Sequence, residues 1–386
     1  MPGDPSTPLA PRRVAGGLVV VAMLAATAVA CPFCGVVGRS LAERRDTAAV
    51  TAVGEAAGPA ARGSDGLLEQ PFILRQTIRG PLPGGNAPVT ARVEGAVEGF
   101  AVLFGAGPRA GAADRWEAIA ADEALLAHVA AAPATTRPAA ERLAWFAARL
   151  EHPDRPIADD AFTEFGLAPF AAVRDAAGGF DAGKLGAWVV DPGIDQRRRG
   201  FYGLALGLVA VRERDAAMRA RLTAVLRGAI DRPGTDVRAG FDGLLAGLLV
   251  AEGGGGLDWI VGRGLCSPET RAGDARHALA ALRFAWEQLA ETVPRDAVAR
   301  ATGGLVDNPA VAADAVVDLA RYQAWDAVDA VAAAWGRFGG DDPLVRRAVA
   351  GYLAACPLPA ARAHLDRLRQ AEPDRLRQAL EAAALR

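Results

Sequence analysis

The sequence predicts an α+β chain of two unlike parts. A small antiparallel β-barrel or sandwich over residues 31–117 precedes an α-helical repeat domain over 118–386, stacked as an α-solenoid, and a signal peptide occupies residues 1–30. Three observations predict this order. A charge-free apolar run lies near the N-terminus, short alternating segments follow it, and one glycine-rich pattern then recurs at a fixed offset.

Arg12 and Arg13 stand ahead of 17 uncharged residues, Val14 to Ala30, ending in the small-x-small pattern Ala28-Val29-Ala30. That combination predicts a secretory signal peptide. The run is shorter than the roughly 20 apolar residues a membrane span needs, although Leu18 to Leu24 is apolar enough for an uncleaved anchor. Cys31 follows directly, and the junction resembles a bacterial lipobox, which implies a lipid on Cys31 and a membrane tether. Cys31 and Cys34 also have the Cys-x-x-Cys spacing of redox pairs. No βαβ pattern surrounds them, and no further ligands lie nearby for a metal. Lipidation, a disulfide within the pair, a disulfide to Cys266 or Cys356, and redox or metal handling all stay open. Export itself predicts oxidised thiols.

A helical-looking run, Val36 to Arg45, leads into four predicted strands: Ala48 to Val53, Phe72 to Ile78, Val89 to Val93 and Phe100 to Phe104. The turn residues of Pro81 to Pro88 predict a reversal between the second and third. Cysteines, a short helix, then strands ending at Leu103-Phe104-Gly105 ahead of Trp116 resemble the netrin/tissue-inhibitor type of OB-like barrel. That family shows Cys-x-Cys with partner cysteines in the same domain, whereas this stretch has Cys-x-x-Cys and no third Cys.

From Ala118 the pattern turns helical. Gly200, Phe201, Gly203, Leu204, Gly207 and Leu208 recur as Gly240, Phe241, Gly243, Leu244, Gly247 and Leu248, an offset of 40. Phe162 and Phe165 stand 39 residues before Phe201 and Leu204, and Arg276 to Trp286 repeats Arg238 to Leu248 at an offset of 38. Pro309 to Leu319 and Pro343 to Leu353 are shorter-spaced relatives. Helix pairs repeating at such periods bury their apolar faces by stacking. Residues 235–240 and 342–348 resemble the Asp/Pro–Val-Arg–small start of the second helix in HEAT repeats, which implies a HEAT-like solenoid over about 135–370. Each glycine costs a helix about 1 kcal/mol against alanine, so glycines repeated on one face predict a neighbouring backbone in close approach. Gly253 to Gly256 reads as a flexible linker.

At 51% hydrophobic and 23% charged, the chain belongs to ordered proteins rather than disordered ones. A net charge of −2 gives no pull toward nucleic acid. Basic residues are arginines apart from Lys184, a bias that discounts Arg197-Arg198-Arg199 as more than a solvated helix start. His128, His152, His277 and His364 have no neighbouring ligands at metal spacing, and His152 reads as a turn residue between Glu151 and Asp154. The pairs Asp159-Asp160 and Asp341-Asp342 read as helix starts. No P-loop, Gly-x-Ser-x-Gly or His-Glu-x-x-His occurs. These readings converge on an exported, non-enzymatic cell-envelope scaffold in the periplasm or on a membrane, similar in outline to uncharacterised exported bacterial proteins with a Cys-Pro-x-Cys start. Its expected partner is another envelope protein, with no cofactor and no catalytic residue. The alternative is an envelope redox or metal-handling protein using Cys31 and Cys34.

Overall fold

A computed structural model describes residues 38–82, 88–107, 115–234 and 238–384. The signal segment, Cys31, Cys34 and residues 235–237 of the HEAT-like motif lie outside the described residues.

Helix α1 (Leu41–Thr47) comes first, followed by β1 (Val50–Ala56), β2 (Ala61–Arg62), β3 (Leu68–Arg79), β4 (Val89–Arg92), β5 (Phe100–Gly105) and β6 (Trp116–Ala120). Antiparallel pairing joins β1 to both β3 and β5, β3 to β4, and β5 to β6. A parallel pair, Ala91 with Trp116 and Arg92 with Glu117, joins β4 to β6 and closes five strands into a ring. The two-residue β2 adds to β3 outside that ring. The four predicted strands are present, but β2 and β6 are additions, and the chain stays extended through Ala120 instead of turning helical at Ala118. The predicted antiparallel barrel is present apart from the one parallel pair of β4 with β6. Strand directions cannot alternate all the way round a closed ring of five, so at least one neighbouring pair must be parallel.

Strand β5 is apolar throughout, and beyond the exposed Phe100 it is buried on both sides. Ala101 and Leu103 point into the barrel with Phe72 and Trp116. Val102 and Phe104 point outward, where Leu41, Leu125, Val129 and Ile157 cover them.

The helical part comprises α2 (Glu123–Ala131), α3 (Ala139–Ala147), α4 (Arg155–Leu167), α5 (Phe170–Asp175), α6 (Ala182–Val190), α7 (Gln196–Arg212), α8 (Ala216–Asp231), α9 (Phe241–Glu252), α10 (Gly254–Gly262), α11 (Ala272–Gln288), α12 (Arg295–Gly303), α13 (Ala312–Arg321), α14 (Val328–Phe338), α15 (Pro343–Ala355), α16 (Pro359–Ala371) and α17 (Pro373–Ala384). Helices two apart in sequence are neighbours: α7 packs on α9, α9 on α11, α13 on α15 and α15 on α17, while α6 packs on α8, α10 on α12 and α14 on α16. One apolar core runs through the whole body, from Leu143 to Ala379. Among the described residues, no helix is long and apolar enough to cross a membrane.

The two copies of the glycine pattern pack against each other. Helices α7 and α9 are buried on nearly every side over Gly200–Leu208 and Phe241–Val250. A methyl group on Gly200 would lie 2.6 Å from the Gly240 Cα. One on Gly207 would fall on the Gly247 carbonyl, and one on Gly247 on the Gly203 carbonyl. The predicted close backbone approach is therefore present, with each copy as the other's partner. Phe162 of the preceding segment meets Phe201 edge to face and Phe165 meets it at a tilt, with ring centroids 5.9 and 4.9 Å away.

The glycine run Gly253 to Gly256 is not a linker. Gly253, at φ +58°, reverses the chain in one residue, and α10 begins at Gly254. Its N–H donates to the Leu249 carbonyl while that of Gly254 donates to Thr292, so the run is held on both sides.

Two substitutions separate packing from helix propensity. Gly207→Ala is expected to destabilise by on the order of 3 kcal/mol, because backbone atoms cannot yield to the new methyl group. Gly228→Ala, on the exposed side of α8 with open space around it, is expected to stabilise by roughly 0.5–1 kcal/mol. Urea denaturation midpoints of the two variants check the opposite signs.

Candidate functional site

Small residues on α15 leave a trough on the layer formed by α13, α15 and α17. Ala348, Gly351 and Ala355 lie three and four positions apart on one face of α15, opposite Val317 and Ala320 of α13. The trough holds about 760 Å³. Its rim carries Asp314, Arg321, Arg347 and Leu344, the last 62% exposed. Asp314 and Arg321 have ion-pair partners in Arg283 and Asp318, whereas Arg347 has no carboxylate partner among the described residues. The arrangement offers an apolar floor and a charged edge, suited to an elongated side-chain-bearing ligand.

A second cluster lies where the helices meet the barrel. Ser40 caps α1, its Oγ accepting from the Glu43 N–H at 3.0 Å and donating to Glu164 Oε1. The Leu41 N–H donates to Asp160 Oδ1 at 2.6 Å, and His128 Nε2 lies 2.7 Å from Asp160 Oδ2. Arg142 Nη2 meets Glu164 Oε2 at 2.9 Å. Asp160 and Glu164 are one turn apart on α4, so two carboxylates receive the positive end of α1. At the other end of α1, Arg45 Nη1 donates to the Val129 and Ala132 carbonyls that end α2, at 2.9 and 2.6 Å. Arg45 also pairs with Asp46 at 2.8 Å. Burial alone would raise the Asp46 carboxyl, but hydrogen bonds from Arg45 and Thr135 outweigh it and hold it below the ordinary aspartate range.

Serine, histidine and aspartate thus come together, but not as a nucleophile and base. The Ser40 hydroxyl serves Glu164, not His128, and Ser40, His128, Asp160 and Glu164 are all 5% exposed or less, without room for a substrate. The cluster works as a latch between α1 and α2–α4. The Asp159-Asp160 pair is predicted at a helix start; Asp160 instead lies in the second turn of α4, buried. Spacing carried a signal for it, since Ile157, Asp160, Ala161, Glu164 and Phe165 share the buried face of α4. Asp342 is an N-cap as predicted, accepting from the Leu344 N–H at 2.7 Å.

The predicted site residues Cys31 and Cys34 lie outside the described residues. Cys266 and Cys356 are buried free thiols. Burial pushes the Cys266 thiol up to about 12. His152 is a turn residue as read, its Nδ1 accepting from the Asp154 N–H at 3.1 Å. His364 pairs with Asp329 at 2.7 Å across α16 and α14. Among the described residues, no group of three His, Cys, Asp or Glu side chains could hold a metal ion. The arginine run is not simply a solvated helix start: Arg198 is part-buried and pairs with Glu151 at 3.1 Å and with Asp159, beside a Tyr202 hydroxyl that donates to Glu151.

No protein-family model matches the chain, nor does any curated protein or solved structure.

Alkylation of the native protein is expected to leave Cys266 and Cys356 unmodified, with both labelled once denaturant is added. Peptide mapping by mass spectrometry reads each cysteine separately, and native labelling of Cys266 would contradict its burial. The latch sets a pH dependence as well. Burial raises the Glu164 carboxyl, and the Ser40 hydrogen bond and Arg142 only partly offset this. The folded state therefore keeps that proton to higher pH than the unfolded chain. Its stabilising contribution is complete below the ordinary glutamate value and lost as pH rises through the raised folded one. Asp318, buried beside Arg283, is raised for the same reason. The stability of wild type relative to Glu164→Gln should thus decline as pH rises from about 4. Thermal midpoints across pH check this, and a flat or rising difference would refute it.

Proposed function

We propose that the protein is an exported cell-envelope scaffold, without catalytic activity of its own, that binds another protein along its helical body. The observation that carries this reading is the unfilled trough on α13, α15 and α17, with its floor of small residues and its unpaired Arg347. A body of helices stacked two apart in sequence supports a HEAT-like solenoid, an architecture built to offer long open surfaces. Without β2, the strand order 1-2-3-5-4-1, with the third and fifth strands parallel, supports an OB-like barrel of the netrin/tissue-inhibitor kind. The apolar run before Ala30 and the position of Cys31 support export, with tethering by a retained anchor or a lipid.

Affinity capture from envelope extract tests the reading. Immobilised wild type and a Cys31→Ser/Cys34→Ser variant are expected to retain the same protein. Leu344→Glu and Arg347→Glu variants are expected to lose most of it. Retention indifferent to the trough, together with thiol–disulfide exchange or metal uptake that requires Cys31 and Cys34, would instead make this an envelope redox or metal-handling protein.

A further inference from the structure

Three arginines converge on one cavity apart from both the trough and the latch. The cavity, about 160 Å³, lies between α7 and the start of α9 and is lined by Arg199, Arg232 and Arg238 with Gln196, Ala239 and Phe241. Each guanidinium is anchored by a main-chain carbonyl. Arg199 Nη2 donates to Asp191 and Ile194 at 2.7 and 3.0 Å, Arg232 Nη1 to Val190 at 3.0 Å, and Arg238 Nη2 to Ile230 at 2.7 Å. The Arg238 guanidinium carbon also lies over the Phe241 ring, 3.6 Å from its centre.

Capping of helix ends explains these carbonyl bonds, since Val190 ends α6 and Ile230 belongs to the last turn of α8. It does not explain the rest of each fork. A guanidinium has five N–H donors, and Arg199 Nε is buried with no partner. No aspartate or glutamate lines the cavity among the described residues. Beyond the lining, Asp231 pairs with Arg263, and Asp274 pairs with Arg271 at 2.7 Å and with Arg238 at 3.6 Å, so Arg238 shares a carboxylate while Arg199 and Arg232 have none among the described residues. Helix α9 also starts here, but its Phe241 and Gly243 N–H groups are taken by the Arg238 carbonyl and by Asp242 Oδ1, so the arginines supply the donors. Three guanidinium groups, two of them without a carboxylate partner among the described residues, therefore line one small space. Like charges held together in a part-buried site repel, and an anion relieves this while satisfying the free donors.

We propose that this cavity is a binding site for a phosphate group, either free phosphate or the phosphate end of a larger ligand entering through the open side. The charge favours a multivalent oxyanion over a single carboxylate, and the fixed guanidinium forks suit two-point contacts to its oxygens. The 160 Å³ space equals that of about five waters, enough for one phosphate but not for a nucleotide base as well. The site does not depend on the scaffold reading.

Calorimetric titration of the full chain with inorganic phosphate, against chloride at matched ionic strength, tests it. Phosphate is expected to bind saturably and to raise the thermal midpoint where chloride does not. Arg199→Gln/Arg232→Gln should weaken binding at least tenfold, while Arg219→Gln, outside the cavity, should not. Because the double variant removes carbonyl bonds, Ala239→Glu serves as a second probe: it brings a carboxylate to the same forks and should abolish phosphate binding in a folded protein. Glycerol phosphate binding tighter than inorganic phosphate would identify a phosphate ester as ligand, and equal binding would identify free phosphate. Absence of saturable binding, or binding untouched by both variants, overturns the proposal. So does binding that emerges only after Asp236→Asn, which would show that the chain's own carboxylate fills the space.

Discussion

The contact between α7 and α9 is the constraint on which the helical body depends. These two helices are buried almost all round, and they approach closely only because Gly200, Gly203 and Gly207 face Gly240, Gly243 and Gly247. Two backbones touching directly bring a pair of helices together without interlocking side chains, and the helices on either side pack against that pair. The phenylalanine of each copy then points away from the seam, Phe201 into a cluster with Phe162, Phe165 and Phe180, and Phe241 beneath Arg238 and beside His277. One short pattern thus sets both the spacing of the central helices and the direction of their largest side chains.

Charge is distributed quite differently in the two halves of the body. Near the barrel, buried carboxylates on α4 are matched by Ser40, His128, Arg142 and the start of α1. Around the α7–α9 start, guanidinium groups gather with carbonyls as their anchors. Both arrangements use helix ends, one as a positive pole for carboxylates and the other as carbonyl acceptors for arginine. The first is shut away from solvent within the chain, whereas the second lines an open cavity.

How much of this was legible follows from the range of each interaction. The glycine seam was readable because glycine spacing within one helix already implies a backbone lying against it, although that each copy is the other's partner came only with the packing of α7 on α9. Four strands were readable from local alternation. Strand β6 was not: Trp116-Glu-Ala-Ile-Ala120 is short and rich in alanine, and it becomes a strand by lying parallel to β4 and antiparallel to β5. The latch joins residues up to 124 apart, so no local pattern announces it beyond two carboxylates on an apolar helix face. The arginine cavity was hidden by composition, since in a chain whose basic residues are nearly all arginine a cluster carries little information until the ends of α6 and α8 give it a place.

Helix α1 has a consequence for the order of assembly. It is made before the barrel strands and before α2 and α4, yet its N-cap rests on Glu164 and its last turn on the end of α2. The first described helix can therefore reach its final position only after the barrel and the opening helices have been synthesised. Until then Asp160 and Glu164 have no helix start to face, and the outer side of β5 stays bare. The barrel and the first helices are in this sense a single cooperative unit, closed by the segment that was made first.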